Sequence, residues 1–184
     1  MKIGRLILRF VVGGFFVGHG TQKLFGWFGG YGPDATGQFF ESLGLRPGKR
    51  HAVAAGAAEA GGGALLVLGA ATPLASAALI ATMLTAIHRV HLKNGPWATD
   101  QGYEYNLVLI AACAALAETG PGSPSVDNAL GIEMNGPKWG ALALVLGALG
   151  AIGAKAVADA APAPEPTPED DSAPAPDADA AATA

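Results

Sequence analysis

Glu59 lies in the middle of a long apolar stretch, where a charged side chain needs a partner or a function. It is the single formal charge between Arg50 and Arg89. Gly56 and Gly63 share its helical face, so a neighbouring helix can approach closely at the carboxylate. The pattern predicts that Glu59 pairs with a base, either to hold two helices together or to form a site. The candidate bases lie on one upstream helical face, within an arc of about 80° that also holds Arg5, and they are Arg9, His19 and Lys23.

Two histidines and a second carboxylate form another candidate group. His88 and His91 are three residues apart on one helical face, and Glu104 begins a later apolar helix on the same side of the membrane. Three such ligands can hold a metal ion, and a haem held by His19 and His88 is a further alternative. Histidines and aromatic rings also collect at membrane interfaces without any ligand. We therefore predict no metal site.

The same side chains suit the head group of a quinone. Histidine or lysine can donate to its carbonyl oxygens, a carboxylate or imidazole can pass protons, and aromatic rings can pack on the flat ring. The head group of a lipid-soluble quinone can reach the boundary between the hydrocarbon core and water, and these polar groups lie at that depth. The residues predicted to position a quinone or carry protons are His19, Lys23, Glu59, His88, His91 and Glu104.

Membrane-spanning helices must position these side chains. The chain of 184 residues is 51% hydrophobic and 14% charged, whereas soluble domains are about 25% charged. The stretch between Arg50 and Arg89 would make a helix of about 57 Å, and the hydrocarbon core is about 30 Å thick. Residues 69–73, Gly-Ala-Ala-Thr-Pro, supply the break that this requires. The sequence predicts an all-α fold: a four-helix membrane bundle with spans at 6–24, 52–68, 73–91 and 104–118, and a fifth, Ala/Gly-rich helix at 139–154.

Hairpin connectivity brings most polar motifs to one side of the membrane, which we call the motif face. It holds the end of the first span, the start of the second, the end of the third and the start of the fourth. The glycine-rich aromatic stretch 26–32 lies there and lacks the Gly-Lys-Ser/Thr of a phosphate loop, so we expect a re-entrant or surface-lying loop. Counting basic residues puts the motif face in the cytoplasm, while the basic N-terminus argues for the reverse. With five spans, the C-terminal tail starts on the motif face.

Composition divides the chain and limits its partners. Residues 158–184 hold seven of the 15 acidic residues and no base, so we expect a disordered Ala/Pro/acidic tail behind a bundle at 1–130 and an additional helix within 131–157. Cys113 is the only cysteine, which excludes an intramolecular disulfide and a covalent c-type haem. The apolar spans make the lipid bilayer an expected partner. No arginine-rich segment stands apart from them, so nucleic acid is not an expected partner.

Five segments follow one another along the chain: GHGTQKLFGWFGGYG from Gly18, EAGGGALLVLG from Glu59, AIHRVHLKNGPW from Ala86, GYEYNLVL from Gly102, and GPG-S-SVD over 120–127. Together they resemble the DoxX family of bacterial integral membrane proteins. The resemblance covers about two thirds of the chain and implies a four-helix membrane bundle. Members of the DoxX family are described as a thiosulfate:quinone oxidoreductase subunit and, in mycobacteria, as a membrane partner of superoxide dismutase and a thiosulfate sulfurtransferase. The first motif adds Gln22 to the candidate cofactor-binding residues.

We therefore expect a multi-pass protein of the bacterial cytoplasmic membrane that serves as a subunit of a redox complex, with quinone as its cofactor. Redox or stress enzymes are the expected protein partners. One alternative is a non-catalytic membrane anchor or scaffold for such soluble enzymes, in which the polar groups are purely structural. A small-solute transporter is a weaker alternative, because inverted repeats and broken helices are not apparent.

Overall fold

The computed structural model describes residues 3–162, and every regular element in that range is helical. The predicted all-α fold is therefore confirmed. The tail predicted to be disordered lies, from residue 163 onward, outside the described residues. The helices, in chain order, are α1 (Ile3–Phe25), α2 (Gly32–Ser42), α3 (Gly48–Leu68), α4 (Thr72–Ala86), α5 (Glu104–Thr119), α6 (Val126–Ala129) and α7 (Pro137–Asp159).

Four helical segments in the described range are long and apolar enough to cross a membrane. They are α1, α3, the segment Thr72–Asn94 that continues α4, and α7. The predicted C-terminal helix is thus present, and its mean hydropathy of 2.0 exceeds the 1.3 of the other three segments. At 16 residues, α5 is shorter than these four; it would span about 24 Å of a core about 30 Å thick. It packs against α4 and α7 within the bundle.

Glycine allows α1 and α3 to pack backbone against backbone. A Cβ on Gly63 of α3 would lie 2.6 Å from the carbonyl oxygen of Gly13, and a Cβ on Gly13 would lie 2.6 Å from that of Gly63. Nearer to the motif face, Gly20 of α1 packs against the backbone of Ala60 in α3, and a Cβ on Gly20 would lie even closer to Ala60 N. This is the close approach that the glycines flanking Glu59 predict, and it brings the end of α1 to the middle of α3.

The predicted break between the second and third spans is present. α3 ends at Gly69, whose φ of 65° is the left-handed conformation typical of a helix end, and α4 has Pro73 in its first turn. Asp127, in the short helix α6, caps α4 by accepting a hydrogen bond from the backbone N–H of Ala71 at 2.9 Å. The break is thus stabilised by a carboxylate at a helix N-terminus.

Arg9 lies at the end of the bundle opposite the motif face. It is 2% exposed, and its hydrogen bonds to residues within 3–162 all go to main-chain carbonyls. It is therefore not the partner of Glu59, although the sequence offered it as one of three candidates. The acceptors are Leu66 and Val67 at the end of α3, at 2.9 and 2.7 Å, and Pro121 and Pro124 in the loop after α5, at 3.0 and 2.8 Å.

The last helix closes the bundle. α7 packs against α4 and α5, and its Gly147 lies directly on Ile80 of α4. The apolar core lies beside this contact, with Leu79, Cys113 and Leu116 fully buried. α7 runs back to the motif face, where Asp159 Oδ1 is 3.8 Å from Arg89 Nη2. The C-terminal tail therefore starts on the motif face, as expected for five helices.

Candidate ligand cavity

A cavity of about 540 Å³ opens between the helices near the motif face. Its wall is mainly apolar, and it includes alanines of α3 and α4 and the rings of Phe16, Phe40 and Tyr105. Charged side chains enter this wall from separate helices. The volume suits a small organic molecule, because ligand pockets usually measure about 300–1,000 Å³ and are lined by apolar groups with a few polar ones.

Glu59 and Lys23 form an ion pair in the cavity wall. Lys23 Nζ lies 2.5 Å from Glu59 Oε2, and the two side chains are 22% and 6% exposed. Lys23 is in the last turn of α1 and Glu59 is mid-way along α3, so the glycine-lined contact between these helices brings the pair together. The structure thus selects Lys23 from the three partners predicted for Glu59. A carboxylate and an ammonium in direct contact form a unit that can hold or move a proton.

His19 lies one turn before Lys23 and also lines the cavity. Its Nδ1 is 3.1 Å from Gln22 Oε1. Because an amide oxygen only accepts hydrogen bonds, Nδ1 is the donor and Nε2 of the neutral ring is an acceptor. Gln22 is outside the cavity wall; its Nε2 donates to the carbonyl of Phe28 at 3.2 Å. Gln22 thus orients the His19 imidazole and connects α1 to the glycine-rich aromatic stretch 26–32.

Arg89 enters the cavity from an irregular turn. After Ala86 the helix continues as one π-helical turn, Ile87–His91, whose residues 89–91 all line the cavity. The Arg89 side chain is 15% exposed, and its Nη1 donates to the carbonyl of Leu43 at 3.3 Å. Its Nη2 is buried and has no hydrogen-bond partner among residues 3–162. The sequence predictions omitted Arg89, although it lies between the two histidines that they singled out.

Comparison with known proteins places these residues in a family. The DoxX family model matches residues 4–92, which include Lys23, Glu59 and Arg89. A protein named "Putative oxidoreductase CatD" from Bacillus subtilis (strain 168) is 35% identical over 115 residues, which cover 62% of this chain and 79% of that protein. The chain belongs to the DoxX family. No solved structure matches it. The family assignment and the four long apolar helices make it a multi-pass membrane protein.

Of the remaining predicted site residues of this DoxX protein, the structure brings one to the cavity wall. His91 lines the cavity and its Nδ1 is 2.7 Å from the carbonyl of Gln101, whereas His88 is exposed and Glu104 is outside the cavity wall. In the described part of the chain, no group of three His, Cys, Asp or Glu side chains is placed to hold a metal ion. The π turn explains the separation of the histidines, since its wider turn means that residues three apart no longer share a face.

The aromatic stretch of the DoxX chain lies outside the cavity. Trp27, Phe28 and Tyr31 are 57%, 76% and 83% exposed, as expected for a surface-lying loop at a membrane interface. The loop leads into α2, a helix that the sequence predictions missed. α2 packs against α3 and contributes Phe39 and Phe40 to the cavity wall. It therefore covers one side of the cavity on the motif face.

Proposed function

We propose that this DoxX-family protein binds a quinone in the cavity and serves as a subunit of a redox complex in the bacterial cytoplasmic membrane. The observation that carries the proposal is the Lys23–Glu59 ion pair in the wall of an otherwise apolar cavity. An ion pair held inside a membrane bundle is costly, and such pairs usually mark substrate pathways or proton relays. The relative named as an oxidoreductase supports a redox role.

The residues of the cavity fit the chemical groups of a quinone. Apolar side chains and aromatic rings suit its flat ring and its lipid tail. When a quinone is bound, it supplies the redox centre, which takes up two electrons and two protons on reduction. The electrons would come from a partner protein that carries a redox group. Supplying the protons falls to the side chains of this chain.

Lys23, Glu59 and His19 are the side chains that would hold and move those protons. Lys23 Nζ can donate to a carbonyl oxygen while it stays within reach of Glu59 Oε2. Once Lys23 has given a proton to that oxygen, the Glu59 carboxylate can take up a proton from a neighbouring donor and pass it to Lys23 Nζ. His19 lies on the same wall, and its Nε2 can accept a proton. These three groups would make a short relay on one wall of the cavity.

Quinone binding to the purified protein in lipid nanodiscs tests the proposal. Equilibrium dialysis with 2,3-dimethyl-1,4-naphthoquinone, corrected with empty nanodiscs, should show saturable binding to the wild type. Glu59→Gln keeps the side-chain shape but removes the charge that holds Lys23 Nζ in place. It should weaken binding by about tenfold, since the charged hydrogen bond from Lys23 to the quinone is worth about that much. Glu133→Gln is the matched control, because Glu133 is exposed in the loop before α7.

Two results would count against the proposal. If the wild type shows no saturable binding, the protein is not a quinone site and an anchoring role becomes the better explanation. If binding occurs but Glu59→Gln and Glu133→Gln behave alike, the quinone does not lie beside Glu59. Folded yield and thermal unfolding of each variant separate loss of binding from loss of structure.

A further inference from the structure

Arg89 lines the cavity, and the described part of the chain satisfies only some of its hydrogen-bond donors. A guanidinium carries five N–H groups, and within residues 3–162 only Nη1 makes a hydrogen bond, to Leu43. The Nη2 group is buried and unpartnered. Asp159 Oδ1 is 3.8 Å away, which is beyond hydrogen-bond distance. A mostly buried cation with unmet donors is costly, so a ligand oxygen that accepts from one of them would stabilise it.

We propose that Arg89 is a positioning residue that donates to an oxygen atom of the cavity ligand, at a point separate from the Lys23–Glu59 pair. This inference rests on the proposed quinone site. It adds that the site recognises two oxygen atoms of one ligand, one through each charged group. A 1,4-quinone has two carbonyl oxygens on opposite edges of a ring, whereas a related monoketone has one.

The placement of the two charged groups supports two-point recognition. Lys23 and Glu59 enter the cavity from α1 and α3, and Arg89 enters from the π turn after α4. The wall also includes small apolar residues such as Ala55 and Ala58 of α3 and others of α4. A ligand ring can lie on that wall with its polar edges turned towards the charged groups. Single π turns in α-helices occur frequently at functional sites.

A purely structural role for Arg89 makes a different prediction. Its hydrogen bond to Leu43 ties the π turn to the segment between α2 and α3, and its contact with Asp159 ties it to α7. Loss of those contacts would loosen the whole cavity. Binding of every ligand would then weaken by a similar factor. Loss of a hydrogen bond to one ligand oxygen would instead weaken only the ligand that has that oxygen.

The experiment compares 2,3-dimethyl-1,4-naphthoquinone, a dione, with 2-methyl-1-tetralone, a monoketone, by equilibrium dialysis in nanodiscs. The ratio of the two Kd values is measured within each variant, so it does not depend on the folded fraction. In Arg89→Gln the preference for the dione should fall by about tenfold, the equivalent of one charged hydrogen bond. Arg89→Lys keeps a cationic donor and should restore part of the preference. Arg50→Gln, at an exposed arginine outside the cavity wall, should leave it unchanged.

Other outcomes separate this inference from the proposed function. If the wild type binds the dione, Glu59→Gln weakens it and Arg89→Gln keeps the wild-type preference, the Arg89 inference is wrong and the quinone site stands. If the wild type binds neither compound, both proposals fail. Asp159→Asn should keep the preference for the dione. A loss equal to that in Arg89→Gln would overturn the inference, because it would assign the effect to the contact with α7.

Discussion

Replacing Arg9 with methionine should destabilise the bundle strongly. Arg9 is 2% exposed, and each of its three guanidinium nitrogens donates to a main-chain carbonyl, with four bonds of 2.7 to 3.0 Å in all. Methionine matches its length but makes none of these bonds, and it leaves the carbonyls at the end of α3 without a donor. At about 1 kcal/mol net for each hydrogen bond, the free energy of unfolding should fall by about 4 kcal/mol.

Reversible unfolding in mixed detergent micelles, followed by circular dichroism, measures this loss. Arg50→Met is the matched control, because Arg50 is exposed near the start of α3, and it should change stability by less than about 0.5 kcal/mol. Arg9→Lys should fall between the two, since lysine keeps the charge but lacks the planar fork of donors. A loss below about 1 kcal/mol for Arg9→Met would refute the reasoning, because water or lipid would then be replacing the guanidinium at those carbonyls.

Two further changes test the packing and the π turn. Gly63→Ala should lower the free energy of unfolding by about 2 kcal/mol, since its Cβ would lie 2.6 Å from Gly13 O. Gly61→Ala, whose Cβ would have nothing within 4 Å, should be neutral or stabilising. Unfolding midpoints in detergent that move equally for both variants would contradict this. His88→Ala should leave quinone affinity and stability within about 0.5 kcal/mol of wild type, because His88 is exposed and outside the cavity wall; a clear loss of affinity by dialysis would show that His88 reaches the ligand.

Much of the bundle could be predicted because its causes are local in the sequence. Apolar runs of the right length identify α1, α3 and α7, and Gly69 with Pro73 marks the turn between α3 and α4. The partner of Glu59 could be narrowed to a few bases, because a carboxylate flanked by glycines on a membrane helix needs a close, positively charged neighbour. These are rules about hydropathy, length and small residues, which a single sequence displays directly.

The parts that sequence reasoning missed depend on contacts between distant segments. Arg9 binds main-chain carbonyls, which every residue carries, so nothing in the sequence distinguishes its acceptors from others. The π turn moves Arg89 into the cavity while His88 stays exposed. Ordinary helical periodicity had placed His88 and His91 on one face. An extra residue in one turn leaves no composition signal, so the register beyond it could not be predicted.

The buried Arg9 and the partly buried Arg89 show where stability and function separate in this molecule. Every guanidinium nitrogen of Arg9 is bonded, whereas in the described chain Arg89 bonds through Nη1 alone. Native proteins satisfy nearly all their buried polar groups, and an exception calls for an explanation such as a ligand. Arg9 is the more deeply buried of the two, at 2% exposure against 15% for the Arg89 side chain, yet Arg89 has the larger number of unmet donors. It follows that Arg9→Met should lower stability without changing the preference for a dione, and that Arg89→Gln should change that preference even where stability is retained.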